Sequence, residues 1–120
     1  MEQISIDEFG KVEMRVGEIK SAERIEGSNK LLKLKVNFGT HASAEGSGDA
    51  MDERQVLSGI GPFFEDIAVL VGKRCLFVTN LAPRMMMGLE SQAMIMATGG
   101  EEGNPFTLFE SNANPGSMVH

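Results

Sequence analysis

The chain has 120 residues and a mass of 13.0 kDa, enough for one domain with its own apolar core and too few for two of ordinary size. Hydrophobic residues make up 42% and charged residues 23%, which excludes a disordered tail, and apolar runs such as Ile67 to Val71 are far too short to span a bilayer. Eleven basic against seventeen acidic residues give a net charge of −6, and the single cysteine, Cys75, excludes an internal disulfide and a thiolate zinc site.

Ser5-Ile6-Asp7-Glu8 has the spacing of a capping box, so a short helix is expected to start near Ile6 and to end by Gly10. From Val12 the apolar pattern has period two, placing Val12, Met14 and Val16 on the inner face of a first strand. After Gly17 the phase slips to Ile19, which predicts a glycine bulge bending that strand. Glu26-Gly27-Ser28-Asn29 reads as a turn. Leu32, Leu34, Val36 and Phe38 alternate with Lys33, Lys35 and Asn37 in a second strand. Residues 39–53 lack a period and are rich in Gly, Ser, Ala and acids, so a flexible insertion is expected there, followed by a third strand from Arg54 to Ile60. Pro62, Phe63, Ile67, Leu70 and Gly72 predict a helix of about ten residues. A fourth strand is expected over Lys73–Leu81, a loop over Ala82–Gly88, a fifth strand over Ser91–Thr98 and a last short strand near Phe106–Phe109.

Three strands, a helix and two more strands make the order of an OB-fold, so the expected class is all-β: a five-stranded barrel filling residues 1–120, with short terminal extensions. Oligonucleotides bind such barrels on the face of strands two and three, between the loops joining strands one to two and four to five. The distribution of charge suits that face. Residues 45–53 hold four acids and no base, whereas residues 27–44 carry Lys30, Lys33 and Lys35 and residues 67–89 carry Lys73, Arg74 and Arg84, with no acid in either window. A locally positive surface is therefore expected on a chain of negative net charge.

Four motifs add an argument from resemblance. Lys11-Val12-Glu13-Met14-Arg15-Val16-Gly17, Asn29-Lys30-Leu31-Leu32-Lys33-Leu34, Arg54-Gln55-Val56-Leu57-Ser58-Gly59-Ile60, and Asn80-Leu81 followed by Met87-Gly88-Leu89-Glu90-Ser91-Gln92-Ala93-Met94 resemble the tRNA-binding OB domain found at the end of methionyl-tRNA synthetases and in free-standing tRNA-binding proteins. The resemblance runs from about Ile4 to Val119; the 39–53 insertion and the acidic balance depart from the family pattern. It implies recognition of folded tRNA by shape and phosphate backbone, alone or as accessory to an aminoacyl-tRNA synthetase catalytic subunit, methionyl first among them. It also implies a homodimer, in which the apolar residues Ile4, Ile6, Phe9, Phe106, Leu108 and Phe109 would find cover. Carried over residue by residue, the RNA-facing set is Asn29, Lys30, Lys33, Arg54, Ser58, Asn80, Arg84, Met87, Ser91 and Gln92.

Other classes are weighed against this one. No phosphate loop, dinucleotide fingerprint, nucleophile elbow or zinc-protease helix is present, so no enzyme, cofactor or metal is expected. Cys75 sits in an apolar run and reads as an inert core thiol. Without Trp or Tyr, a generic single-strand binder that stacks bases on aromatic rings ranks below a binder of structured RNA. The competing reading is a dimeric secretion-type chaperone of the same fold family, holding unfolded peptides in an apolar groove. The Met1-Glu2-Gln3 start lacks the basic and apolar stretches of a signal peptide, and the expected location is the cytoplasm, with no membrane partner.

Overall fold

A computed structural model of the protein describes residues 1–42 and 49–120. The chain enters through one helical turn, α1 (Ile6–Phe9), held by the expected capping box: Ser5 Oγ accepts the Glu8 N–H at 3.1 Å, and Glu8 Oε1 accepts the Ser5 N–H at 3.3 Å. Strands β1 (Met14–Arg24), β2 (Leu32–Ala42), β3 (Asp49–Ser58), β4 (Arg74–Val78) and β7 (Met94–Ile95) form one antiparallel sheet in the order β3-β2-β1-β4-β7. The sheet curls until β3 packs against β6 (Leu89–Ser91) and β7, and the Gln92 N–H reaches the Gln55 carbonyl at 2.8 Å across the seam. This is the expected OB-like all-β architecture.

Alternating residues of the strands fill the interior. Ile19, Leu32, Leu34, Val36, Val56 and Phe77 are buried around Phe38, whose ring meets Phe77 edge to face with centroids 5.2 Å apart. Val16, expected on this face, is buried on the other side of β1, because Arg15 and Gly17 are the residues that face Phe38. The bend in β1 is real but lies later than expected: its register on β2 shifts between Ile19 and Ser21. Gly17 has a different task. A Cβ at that position would lie 2.5 Å from Val36 Cγ1 and 2.6 Å from Phe38 Cε1, so the absent side chain is what lets the core close over β1.

Three other expectations are corrected. Residues 39–53 are not one loose insertion, because β2 continues to Ala42 and β3 begins at Asp49, with Thr40 opposite Met51 and His41 opposite Ala50. Gly39, at a φ of 83°, carries β2 past a register shift, and residues 43–48 of the expected insertion lie outside the described residues. The expected ten-residue helix is instead two short 3-10 turns, Gly61–Phe63 and Ile67–Leu70. Phe64 and Asp66 between them are extended, the Asp66 carboxylate restarts the second turn by accepting the Ala68 N–H, and the β-branched Ile67, Val69 and Val71 favour helix poorly.

The fifth strand is broken into pieces: β6 pairs with β5 (Arg84–Met86), β7 with β4, and β8 (Ala97–Thr98) with β9 (Thr107–Leu108). Leu108 is buried in the core and Phe106 stacks flat on Phe63 at 4.2 Å, so neither is left seeking cover, whereas Ile4, Ile6, Phe9 and Phe109 stay exposed. The closing segment lies along β1, with the Gly116 and Val119 N–H groups donating to the Val16 and Met14 carbonyls. Among the described residues no helix is long and apolar enough to cross a membrane.

Candidate nucleic-acid interface

The two acid-free windows meet at one place. The segment expected to be a loop, 82–88, is a hairpin in which Met86 pairs with Leu89 across a two-residue turn, Met87 at φ 52° and Gly88 at φ 78°. Two successive positive φ values give the turn whose twist matches its strands. The turn points Met87 at the β1–β2 loop: a Cβ built on Gly27 would stand 3.7 Å from the Met87 methyl. In that loop the Ser28 hydroxyl accepts the N–H groups of Lys30 and Leu31, at 3.3 and 3.0 Å, and the Lys30 carbonyl accepts the Gly61 N–H at 2.9 Å. Loop, hairpin and the end of β3 are thereby held as one surface.

Six of the ten expected residues have side chains available there. Asn29, Lys30, Arg84 and Met87 are exposed, and Lys33 and Ser58 are half-buried on the strands. Lys33 reaches Glu23 at 3.5 Å, a loose pair beside a largely exposed carboxylate; among the described residues Arg84 has no carboxylate at ion-pair distance. Between Ser58-Gly59 and the hairpin lies a groove of about 190 Å³, with Leu57, Leu81, Met86 and Arg84 in its walls.

The other four side chains bond to the protein itself: Ser91 is buried, Arg54 half-buried, and Asn80 and Gln92 are exposed. Ser91 is 7% exposed and its hydroxyl accepts the Leu57 N–H at 3.0 Å while lying 3.1 Å from the Ala93 carbonyl. Gln92 Oε1 accepts the Gln55 N–H at 2.9 Å. Asn80 clamps the entry to β1, its Oδ1 accepting the Glu13 N–H at 2.8 Å and its Nδ2 donating to the Lys11 carbonyl at 2.6 Å. Arg54 donates to the Thr79 carbonyl at 2.6 Å and to both Asp52 oxygens, at 3.0 and 3.1 Å. Each of the four thereby ties two segments of the barrel together, Ser91 from the interior and Asn80 and Gln92 from the surface.

Arg54 belongs to a cluster that alternation alone did not reveal. Asp52, counted in the sequence with a loose acidic segment, bridges Arg54 and Arg15, the latter at 2.7 Å. Both guanidinium groups lie over the Phe38 ring, at 5.4 Å for Arg15 and 5.3 Å for Arg54. Burial alone would raise the Asp52 pKa, but hydrogen bonds from Arg54 and Arg15 outweigh it and hold the carboxyl below its ordinary value. Glu13 adds a contact of 3.2 Å to Arg15 Nε without hydrogen-bond geometry, and accepts the Thr79 hydroxyl at 2.6 Å. Cys75 is fully buried, and burial, with a smaller effect of Glu110, pushes its pKa up to about 11, so the thiol is protonated at neutral pH.

Relatives of known name agree with the architecture. The chain is 35% identical to the methionine–tRNA ligase of Caldanaerobacter subterraneus subsp. tengcongensis over 119 residues, 99% of its length, and 42% identical to that of Methanosphaera stadtmanae over 116 residues. It spans only 17% and 15% of those two proteins. The crystal structure of a MetRS-related protein from Pyrococcus horikoshii superposes with a TM-score of 0.81 at 33% identity over the full length of both chains. The CsaA chaperone protein from Picrophilus torridus superposes at 0.76 with 21% identity, covering 98% of this chain and 100% of its own, which shows a shared fold. Residues 14–117 match the family model described as "Putative tRNA binding domain", and the chain belongs to that family.

Proposed function

We propose that the protein binds folded tRNA through the surface formed by the β1–β2 loop, the end of β3 and the β5–β6 hairpin, reading backbone shape more than sequence. The single observation that carries this is the approach of Met87 to Gly27, which unites two acid-free windows distant in the chain. Lys30, Lys33 and Arg84 supply attraction to phosphates, and Asn29 and Ser58 offer neutral hydrogen-bonding groups for ribose or base. Arg54, Asn80, Ser91 and Gln92 serve the same surface indirectly, by fixing the strands that present it.

In this reading the chain contributes tRNA affinity to aminoacylation, as an accessory to a synthetase catalytic subunit of the methionyl type, and works in the cytoplasm without chemistry of its own. Two copies pair through the exposed Ile4, Ile6, Phe9 and Phe109, giving a particle with two RNA faces. Light scattering at micromolar concentration should then return twice the chain mass; a monomer would remove the pairing but not the RNA site. The binding itself is tested by titrating wild type with unfractionated tRNA, an unstructured RNA of equal length and an unfolded peptide. Tightest binding to tRNA is expected; a preference for the peptide would replace this reading with the chaperone one.

A further inference from the structure

We infer that the groove between Ser58-Gly59 and the β5–β6 hairpin holds one unstacked nucleobase, so that the bound RNA must present an unpaired base beside its phosphate backbone. The inference rests on the tRNA-binding reading and adds a base-sized subsite to it. At about 190 Å³ the groove is smaller than the clefts of roughly 300–1,000 Å³ that take drug-sized ligands, which suits a single planar ring. Most of its lining is apolar, with Leu57, Leu81, Met86 and Met94, whose thioethers pack well on flat rings, beside the polar Ser58, Ser91 and Arg84.

Polar groups stand at the groove where a nucleotide would need them. The Ser58 hydroxyl has no hydrogen-bond partner among the described residues, whereas Ser91 on the same wall is committed to Leu57 and Ala93. Ser58 can therefore accept from or donate to a base edge. Arg84, at the rim and without an ion-pair partner among the described residues, complements the charge of the attached phosphate. An apolar peptide side chain would fill the walls and leave both of these groups unused. No aromatic ring lines the groove, so it cannot supply the stacking that extracts a run of bases from a duplex. Extrusion costs a few kcal/mol and least where the base is already unpaired, which favours a loop or corner nucleotide of a folded RNA.

Gly59 gives a direct test. Gly59 lines the groove, a Cβ there meets nothing within 4 Å and its φ lies outside the left-handed region, so Gly59→Leu should crowd the groove mouth without disturbing the barrel. Affinity for unfractionated tRNA should fall about tenfold, the scale of burying one apolar group, while the slope of log affinity against log salt stays the same because no phosphate contact is lost. Independently of any variant, methyl NMR of wild type saturated with tRNA should show upfield ring-current shifts at Met86 and Met94. Ser58→Ala should weaken tRNA binding while keeping those shifts. If wild type binds tRNA with its salt dependence intact but Gly59→Leu is unimpaired and the methyl groups do not shift, the subsite is wrong and the tRNA reading survives. If wild type ignores tRNA, both fall. If unfolded peptide shifts the methyl groups and tRNA does not, the groove belongs to a peptide and the inference is overturned.

Discussion

The Asp52 carboxylate and the Arg15 guanidinium, 37 residues apart in sequence, meet at 2.7 Å above the Phe38 ring. This contact ties the β2–β3 arm to β1, and Arg54 doubles it. Asp52→Asn should cost about 1–3 kcal/mol near neutral pH, because two guanidinium groups lose a partly buried charged acceptor. The folded-state pKa of Asp52 is depressed, so its contribution is fully present above its unfolded value of about 3.9 and is lost as pH falls through the lower folded value. Chemical denaturation of both proteins from pH 7 to pH 2 should therefore show the gap narrowing below about pH 4. A gap independent of pH would mean that the charge is not what stabilises.

Gly17→Ala adds one methyl group where Val36, Phe38 and Phe77 already meet. Overpacking of this kind costs about 1–3 kcal/mol, and the loss should appear as a lower melting temperature. An unchanged melting temperature would show that β1 can move outward at no cost.

Ser91→Ala and Asn80→Ala separate the surface from its supports. Removing the Ser91 hydroxyl strands the buried Leu57 N–H, for a loss of about 1–3 kcal/mol; removing the Asn80 amide frees the better solvated backbone at Lys11 and Glu13, for about 1 kcal/mol. Both variants should melt earlier yet bind tRNA with an unchanged salt slope. Weakened binding with undiminished stability would make them RNA contacts instead.

Met87 carries a positive φ that a residue with a Cβ adopts at some cost, in a turn that favours Asn or Gly. Met87→Gly should relieve about 1–2 kcal/mol of that strain, part of it offset by the extra entropy, about 0.5–1 kcal/mol, that a glycine loses on folding, so the hairpin gains up to about 1 kcal/mol while losing the side chain that reaches Gly27. Higher thermal stability with weaker tRNA binding is expected. Stability and binding rising together would deny Met87 a part in the interface.

The strands were legible because burial on one face imposes period two, as in Leu32, Leu34, Val36 and Phe38. The capping box at Ser5 was legible because it is local, with donor and acceptor three residues apart. The sheet continuing to Ala42 and restarting at Asp49 was hidden, because Gly39, Thr40 and Met51 carry no apolar alternation: Thr40 and Met51 are exposed, and Gly39 meets the backbone of Pro115 instead of the core. Resemblance named ten residues but could not tell the four whose side chains bond to other segments of the barrel, Arg54, Asn80, Ser91 and Gln92, from the remaining six. Arg54 and Lys33 look alike in sequence; only the fold puts Asp52 and the Thr79 carbonyl against Arg54 and leaves Lys33 with an exposed Glu23. The hairpin of 84–91 was hidden as well, because its turn uses Met87-Gly88 where Asn-Gly would have announced it.

The central claim is that Lys33 and Arg84, one from each acid-free window, act on one RNA. The most direct measurement is the affinity of wild type, Lys33→Ala and Arg84→Ala for unfractionated tRNA across a range of salt concentrations. With about three to five phosphates engaged, wild type should show a slope of log affinity against log salt of roughly −2 to −4, and each variant should bind more weakly with a slope shallower by about one unit. Binding that ignores salt, or variants that keep both the affinity and the slope of wild type, would contradict the account.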